Sequence, residues 1–354
     1  MAGTDLTAQL NVAPLLNTLP NHPLLVMQLD GGKIVGDLRL VATASNTAIG
    51  GLQLVNSCES LEALWQHHAV SRRRFRLPRH WRGTALLLSA ANGDNYYHWL
   101  LDSLPRWHLL QAAGWTEYDH VLLHSRPRPF QDETLTRLGI PRNKRQRPSK
   151  NFVHQFERLV VPAMPFPHRQ PAPWACDWLR SLFPKRTGGL ARIYITRRQE
   201  SRRRLANEAA LEARLTAWGF VAIQPENYTV AEQASLFASA ECIVAAHGAG
   251  LTNLVFAPRS ARVVELFHPD ILRPTFRNLA AACGQSYTAV IGQRTRTEID
   301  DSQAEFVIDV KSVLDAIENP VSAALPITEP APETYYCRLT DDLSILPVLT
   351  TVSP

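Results

Sequence analysis

The chain has 354 residues, long enough for two ordinary domains or for one large one. A hydrophobic fraction of 45% supplies substantial cores, and a charged fraction of 19%, mixed in sign, excludes a disordered chain. The formal net charge of +5 suits an anionic ligand such as a nucleoside diphosphate, an anionic membrane surface or nucleic acid, and composition does not choose among them.

In chain order, residues 1–80 read as an irregular N-terminal region. Pro14, Pro20 and Pro23 interrupt it, and a basic run at 72–74 precedes Phe75 and Arg76. Met1 to Leu10 carries Asp5 and no basic residue before an apolar run, which does not fit a signal peptide. Residues 84–90 (TALLLSA) form a buried-strand run. A helix is predicted over 96–113, ending at Gly114. Strands follow at 120–125 and 158–163, with a basic, proline-containing loop at 142–150 between them.

Prolines 162, 165, 167, 171, 173 and 184 and the Gly188-Gly189 pair make 171–190 the best linker. Beyond it the alternation is regular. A strand at 192–196 leads to a helix that Asn207 can cap, with apolar stripe Leu211, Leu215 and Trp218 and an end at Gly219. A strand at 220–224 leads to a helix opened by the capping-box spacing of Thr229 and Glu232 and running to Ala240. Then come a strand at 242–246, a tight loop at 247–250, a short helix at 251–256 and a strand at 262–267. This grammar predicts an α/β chain with parallel, doubly wound sheets, in two domains, 81–170 and 191–320. The tail, 321–354, is rich in Pro and Thr and has no assigned role.

Three constellations can carry chemistry. Residues 95–106 (NYYHWLLDSLPR) place His98 and Asp102 four apart, on one helix face. A carboxylate beside an imidazole holds its tautomer and raises its basicity, as a general base requires. Leu100, Leu104 and Trp107 form a separate apolar stripe, and Pro105 should kink or restart the helix. A pair that merely caps or solubilises a surface face is the competing reading.

Residues 245–253 (AAHGAGLTN) stand between an apolar strand and a short helix. Small residues let backbone approach a ligand, and the first N–H groups of the helix point at it. That suits a diphosphate, and His247 could bond a phosphate or a sugar hydroxyl; a tight turn with glycines for geometry alone is the alternative. The third segment runs from Thr196, Arg197 and Arg198 through Ser201 and Arg202 to Arg204, then Asn207 and Glu208. It lies at the carboxyl edge of the sheet, where arginines can fork onto a diphosphate. Glu265, at the end of its strand, is a candidate acceptor for ribose hydroxyls, or a surface carboxylate.

The five cysteines, at 58, 176, 242, 283 and 337, are odd in number and include no C-x-x-C pair, which argues against a disulfide framework and a thiolate zinc site. No Asp-x-Asp occurs, so a metal-independent mechanism is expected, with no metal and no cofactor. No apolar run reaches the roughly 18 residues that cross a bilayer. A cytoplasmic protein is the expectation.

NYYHWLLDSLPRW at 95–107, ITRRQESRRRLANE at 195–208 and AEQASLFASAECIVAAHGAGLTNLVFAP at 231–258, with VVELF at 263–267, together resemble glycosyltransferase family 61. The resemblance covers roughly residues 84–292 and includes bacterial capsular-polysaccharide proteins. It implies a GT-B architecture, two Rossmann-like domains facing an interdomain cleft, with the acceptor on 81–170 and the nucleotide-sugar donor on 191–320. It implies an inverting transfer to a carbohydrate or glycan acceptor, with His98 as base and Asp102 orienting it. It assigns Arg197, Arg203 and Asn207 to the diphosphate, and His247, Gly248, Ala249 and Gly250 to a phosphate loop continued by Asn253. Arg198, Arg202 and Arg204 exceed the family's pattern. A non-catalytic nucleotide-sugar- or carbohydrate-binding protein is the runner-up. The basic runs show no RNA-module pattern, so nucleic acid is not an expected partner. A lipid-linked acceptor and peripheral membrane contact are secondary expectations.

Overall fold

In the computed structural model the described residues are 10–14, 25–35, 40–44, 48–49, 78–90, 92–162, 164–165, 170–184, 188–198, 204–295 and 305–319. Two compact units divide them, an earlier one within Met1–His168 and a later one, Arg169–Glu329. Both are α/β.

The earlier unit begins with short strands, β1 (Leu10–Pro14), β2 (Leu25–Asp30), β3 (Lys33–Val35), β4 (Leu40–Ala42) and β5 (Ala48–Ile49). It continues with β6 (Arg79–Leu87), a π-helical turn (His98–Ser103), α1 (Pro105–Ala112), β7 (His120–Leu122), α2 (Pro129–Arg137), β8 (Arg145–Gln146) and β9 (Val153–Pro162). Strands β9, β6, β7 and β8 are neighbours and run parallel. On the other side of β9, β2 and β3 pair with it antiparallel, and β4 and β5 continue from β3. The described segments within residues 1–80 are therefore not irregular: their strands complete a nine-stranded sheet. Such short strands show little periodicity, and their pairing is decided by β9, more than a hundred residues later. Ala85, Leu86 and Leu87 are fully buried, as expected of a strand covered on both faces. Met27, Leu29, Ile34, Leu122, Phe156 and Leu159 share one core with Ala85 and Leu87.

The later unit opens with α3 (Pro173–Leu182), inside the stretch read as a linker. Pro173 sits at the first helical position, where its missing N–H costs nothing, so a proline-rich segment still starts a helix. Then follow β10 (Arg192–Ile195), α4 (Glu208–Ala217), β11 (Val221–Ile223), α5 (Val230–Phe237), β12 (Cys242–Ala246), a 3-10 helix (Ala249–Phe256), β13 (Arg262–Phe267), α6 (Thr275–Ala282) and β14 (Ser286–Ile291). A small hairpin, β15 (Gln293–Arg294) with β16 (Phe306–Val307), precedes α7 (Val310–Glu318). The five-stranded sheet is parallel throughout, in the order β11-β10-β12-β13-β14. Counted from β10, that is the doubly wound order 2-1-3-4-5, whose direction of winding reverses between the first and third strands. The switch point is thus the carboxyl end of β10 and β12.

The stripe read from sequence packs this sheet: Leu211 and Leu215 of α4 join Tyr194, Val244, Val264 and Phe306 in the core, with Trp218 against its edge. The capping box at α5 is formed, Thr229 N donating to Glu232 Oε2 at 2.8 Å and Glu232 N to Thr229 Oγ1 at 3.2 Å. Among the described residues no helix is long and apolar enough to cross a membrane.

Candidate functional site

In the earlier unit the His98 segment starts where β6 leaves the sheet. Asn95 Oδ1 accepts from Tyr97 N at 3.0 Å, so the first turn is capped. Leu104 N donates to Trp99 O, five residues back, which makes the turn π-helical rather than α-helical. Pro105 then stands at the first position of α1, so the proline does restart the helix. Leu100 and Leu104 are fully buried and Trp107 is nearly so. Trp99 Nε1 donates to Thr134 Oγ1 at 2.8 Å, and Ala90 N to Ser103 Oγ at 2.9 Å, fixing the turn to α2 and to the exit of β6.

On this turn His98 Nδ1 lies 2.5 Å from Asp102 Oδ2. Asp102 is 1% exposed, whereas the His98 side chain is 26% exposed. A solubilising surface pair does not bury its carboxylate. With Nδ1–H donated to Asp102, Nε2 keeps its lone pair. Four residues on, Arg106 is fully buried. Burial brings its guanidinium down to about 10, and the field of Asp102 acts the other way. A buried carboxylate needs a cation, and Arg106 supplies one.

In the later unit the switch point gathers the other two segments. Glu208, at the start of α4, is buried, and its Oε1 accepts from Tyr194 OH (2.9 Å), Thr196 Oγ1 (2.8 Å) and Arg197 N (2.8 Å). Burial, then the charge of Glu208, pushes the Tyr194 hydroxyl up. That anchor fixes the backbone where β10 ends. The Arg197 side chain crosses to the loop after β12, and its Nη1 donates to His247 O at 3.3 Å. A Cβ on Gly248 would fall inside the contact radius of the same Nη1. Glycine is needed there for the arginine's passage, not for backbone strain, because its φ of 175 is extended. The turn therefore carries a cation on its backbone, Arg197, besides its glycines.

His247 is oriented in turn. Its Nδ1 lies 2.6 Å from Glu265 Oε1, the other oxygen of Glu265 accepts from Tyr287 OH at 2.5 Å, and its ring stacks on Phe267 with centroids 5.4 Å apart. Burial, then the charge of Glu265, raises the Tyr287 hydroxyl. Glu265 is fully buried with both oxygens engaged, so the ribose-accepting role expected for it does not fit. It holds His247 instead.

Asn207 occupies the position before α4 without a side-chain cap. Its Nδ2 donates to Ile308 O at 2.7 Å and its Oδ1 accepts from Ile308 N at 3.1 Å, so both ends of the amide proposed for the diphosphate are taken up by the connection into α7 and the cap is not made. Asn253 is likewise buried, its Nδ2 donating to Gln233 Oε1 at 2.7 Å and Gly250 O at 3.1 Å; it braces the loop from within. Ala249 and Gly250 begin the 3-10 helix. Of the extra arginines, Arg198 pairs with Glu212 at 2.7 Å and Arg204 lies 3.6 Å from Glu305, which leaves Arg197, among the described arginines of this segment, as the one turned to the loop. Arg202 and Arg203 lie outside the described residues.

Arg106 and Glu208 lie in the segments singled out from sequence, without a role there, and Tyr287 lies in none of them. Only Glu265 carried a usable signal: a carboxylate inside the apolar run VVELF of a parallel strand must find a partner in the interior. Compared with known protein families, residues 96–264 match the model described as Glycosyltransferase 61. No curated protein matches the chain.

Proposed function

Residues 96–264 match the model of glycosyltransferase family 61, and on that premise we propose that the chain is an inverting, metal-independent enzyme moving a sugar from a nucleotide-sugar donor to a glycan acceptor, in surface or capsular polysaccharide synthesis. The later unit takes the donor and the earlier unit the acceptor, the division of labour of a GT-B enzyme. Cytoplasmic location, a lipid-linked acceptor and peripheral membrane contact belong to the same proposal.

The observation that carries it is the convergence of Arg197 on the His247-Gly248 backbone at the switch point of the later sheet. Open α/β sheets bind ligands outside the carboxyl ends of their strands at that place. There an arginine and the first N–H groups of the helix at Ala249 and Gly250 offer a diphosphate positive charge without a metal. In the reaction the acceptor oxygen attacks the anomeric carbon and His98 Nε2 takes its proton. The bond from that carbon to the phosphate oxygen breaks, and its electron pair leaves with the nucleoside diphosphate. Asp102, backed by Arg106, keeps His98 in the tautomer that accepts at Nε2. Arg197 and the helix amides stabilise the leaving charge.

The test is release of nucleoside diphosphate from a panel of nucleotide sugars. The wild type is expected to turn over one of them, and His98→Ala to cut kcat by about 100- to 10,000-fold while binding the donor undiminished. Equal donor binding with no turnover by either protein would favour a non-catalytic nucleotide-sugar-binding module.

A further inference from the structure

The loop after β7 brings together cations that this chemistry leaves unused. Residues 126–129 read Arg-Pro-Arg-Pro. Each proline fixes its own φ and drives the residue before it to extended backbone; Arg128 is extended, at φ −136 and ψ 145. Residues two apart on extended chain share a side. Arg126 Nη1 and Arg128 Nη2 accordingly converge on one oxygen, Asp94 Oδ2, at 3.5 and 3.8 Å. His124 Nε2 lies 3.7 Å from Asp94 Oδ1. A single carboxylate thus faces two guanidinium groups and an imidazole, all beyond good hydrogen-bond length. The two arginine side chains are 66% and 49% exposed, so their donors reach solvent.

The arrangement is braced from beneath. Arg147 donates Nη1 to the carbonyl of His124 and Nη2 to Gln131 Oε1, the latter at 2.8 Å. Gln131 donates to Gly93 O at 2.6 Å and accepts from Arg128 N at 3.1 Å. Two prolines and these bonds hold the arginines before any ligand arrives, which lowers the ordering cost of binding. The loops concerned follow β6, β7 and β8, adjacent parallel strands, at their carboxyl edge. Asp94 precedes His98 by four residues, so chain length alone keeps the two within about 14 Å.

We propose that Arg126 and Arg128 form an acceptor subsite for an anionic group, either the carboxylate of an acidic sugar or a phosphate of the acceptor's carrier; this rests on reading the earlier unit as the acceptor side. Guanidinium forks match carboxylate and phosphate oxygens in pairs, and Asp94 offsets the repulsion between them while taking up only part of their charge. A neutral glycan gains nothing from such a pair. The acceptor is therefore acidic.

Isothermal titration calorimetry on the full chain and on an R126Q/R128Q variant, folded by circular dichroism, tests this with tetragalacturonate, neutral cellotetraose and inorganic pyrophosphate, the pyrophosphate being titrated into both proteins carrying Arg197→Ala so that the proposed donor site does not mask the subsite. The wild type should bind one of the two anions at least about tenfold more tightly than the variant does, while cellotetraose binds both proteins alike. A loss confined to tetragalacturonate assigns a sugar carboxylate; one confined to pyrophosphate assigns a phosphate. Unchanged affinity for both anions overturns the proposal. So does arginine-dependent sedimentation with phosphatidylglycerol vesicles when neither anion distinguishes the proteins, since the pair would then serve a membrane surface. Nucleotide release by the wild type is read separately, and its absence counts against the transferase reading rather than against the subsite.

Discussion

Gly248 shows how one hydrogen atom can set an affinity. The backbone there is extended and tolerates any residue, and what excludes a methyl group is Arg197 Nη1. A guanidinium at the end of a flexible side chain can swing away cheaply. Gly248→Ala is therefore expected to cost less than about 1 kcal/mol of stability and to weaken nucleoside diphosphate binding about tenfold, roughly 1.4 kcal/mol. Calorimetry beside urea unfolding separates the two; equal losses in both would mean that Gly248 serves only the fold. Tyr194 offers a test with a definite sign. Its hydroxyl is raised in the folded state by burial and by Glu208. Below pH 10 the ring is neutral folded or unfolded, and its bond to Glu208 contributes about 1 kcal/mol. Above pH 10 the unfolded chain loses that proton while the folded one keeps it, so the contribution is lost at up to about 1.4 kcal/mol per pH unit. Tyr194→Phe should be the less stable protein at pH 8, and its deficit should shrink towards pH 11. A deficit constant with pH would count against the raised hydroxyl.

At the scale of elements, the π-helical turn is the feature most exposed to test. The turn at His98–Ser103 is π-helical, and on it His98 and Asp102 are in hydrogen-bond contact. Pro105 enforces the break, since it has no N–H for the Leu101 carbonyl. Pro105→Ala restores that donor and lets the α register run on. Stability should change by less than about 1 kcal/mol, while kcat at saturating donor falls about tenfold or more; an unaltered kcat would show that the wide turn does not set the pair. This also marks what the sequence could yield. Strands β12 and β13 were legible to the residue because parallel strands buried on both faces read as unbroken apolar runs. The His98-Asp102 pairing was legible too, but a spacing of four is the same in either kind of helix, so the π turn was not. Strands β1–β5 were hidden because β9 decides their register. Arg106 and Tyr287 look like surface residues until the fold buries the one and turns the other onto Glu265.

At the scale of the whole molecule, the two units carry separate sheets and separate cores, one built on Ala85, Leu87 and Phe156 and the other on Tyr194, Val244 and Val264. A ligand that binds only the native later unit stabilises that unit by mass action, about 2.7 kcal/mol at a hundred times its dissociation constant. The groups proposed to hold the donor lie at the ends of β10 and β12, so a nucleoside diphosphate should slow amide exchange there and in Ala249–Phe256. The strands of the earlier sheet should keep their rates. On the proposal that Arg197 and the helix amides supply the positive charge, the protection should persist with EDTA present, and Arg197→Ala should remove most of it. Exchange followed by mass spectrometry, with and without EDTA, reads all three at once. Protection that vanished with the chelator would move the diphosphate's counter-charge from the arginine to a metal ion. Protection confined to the earlier sheet would place the donor on the other unit and reverse the proposed division of labour.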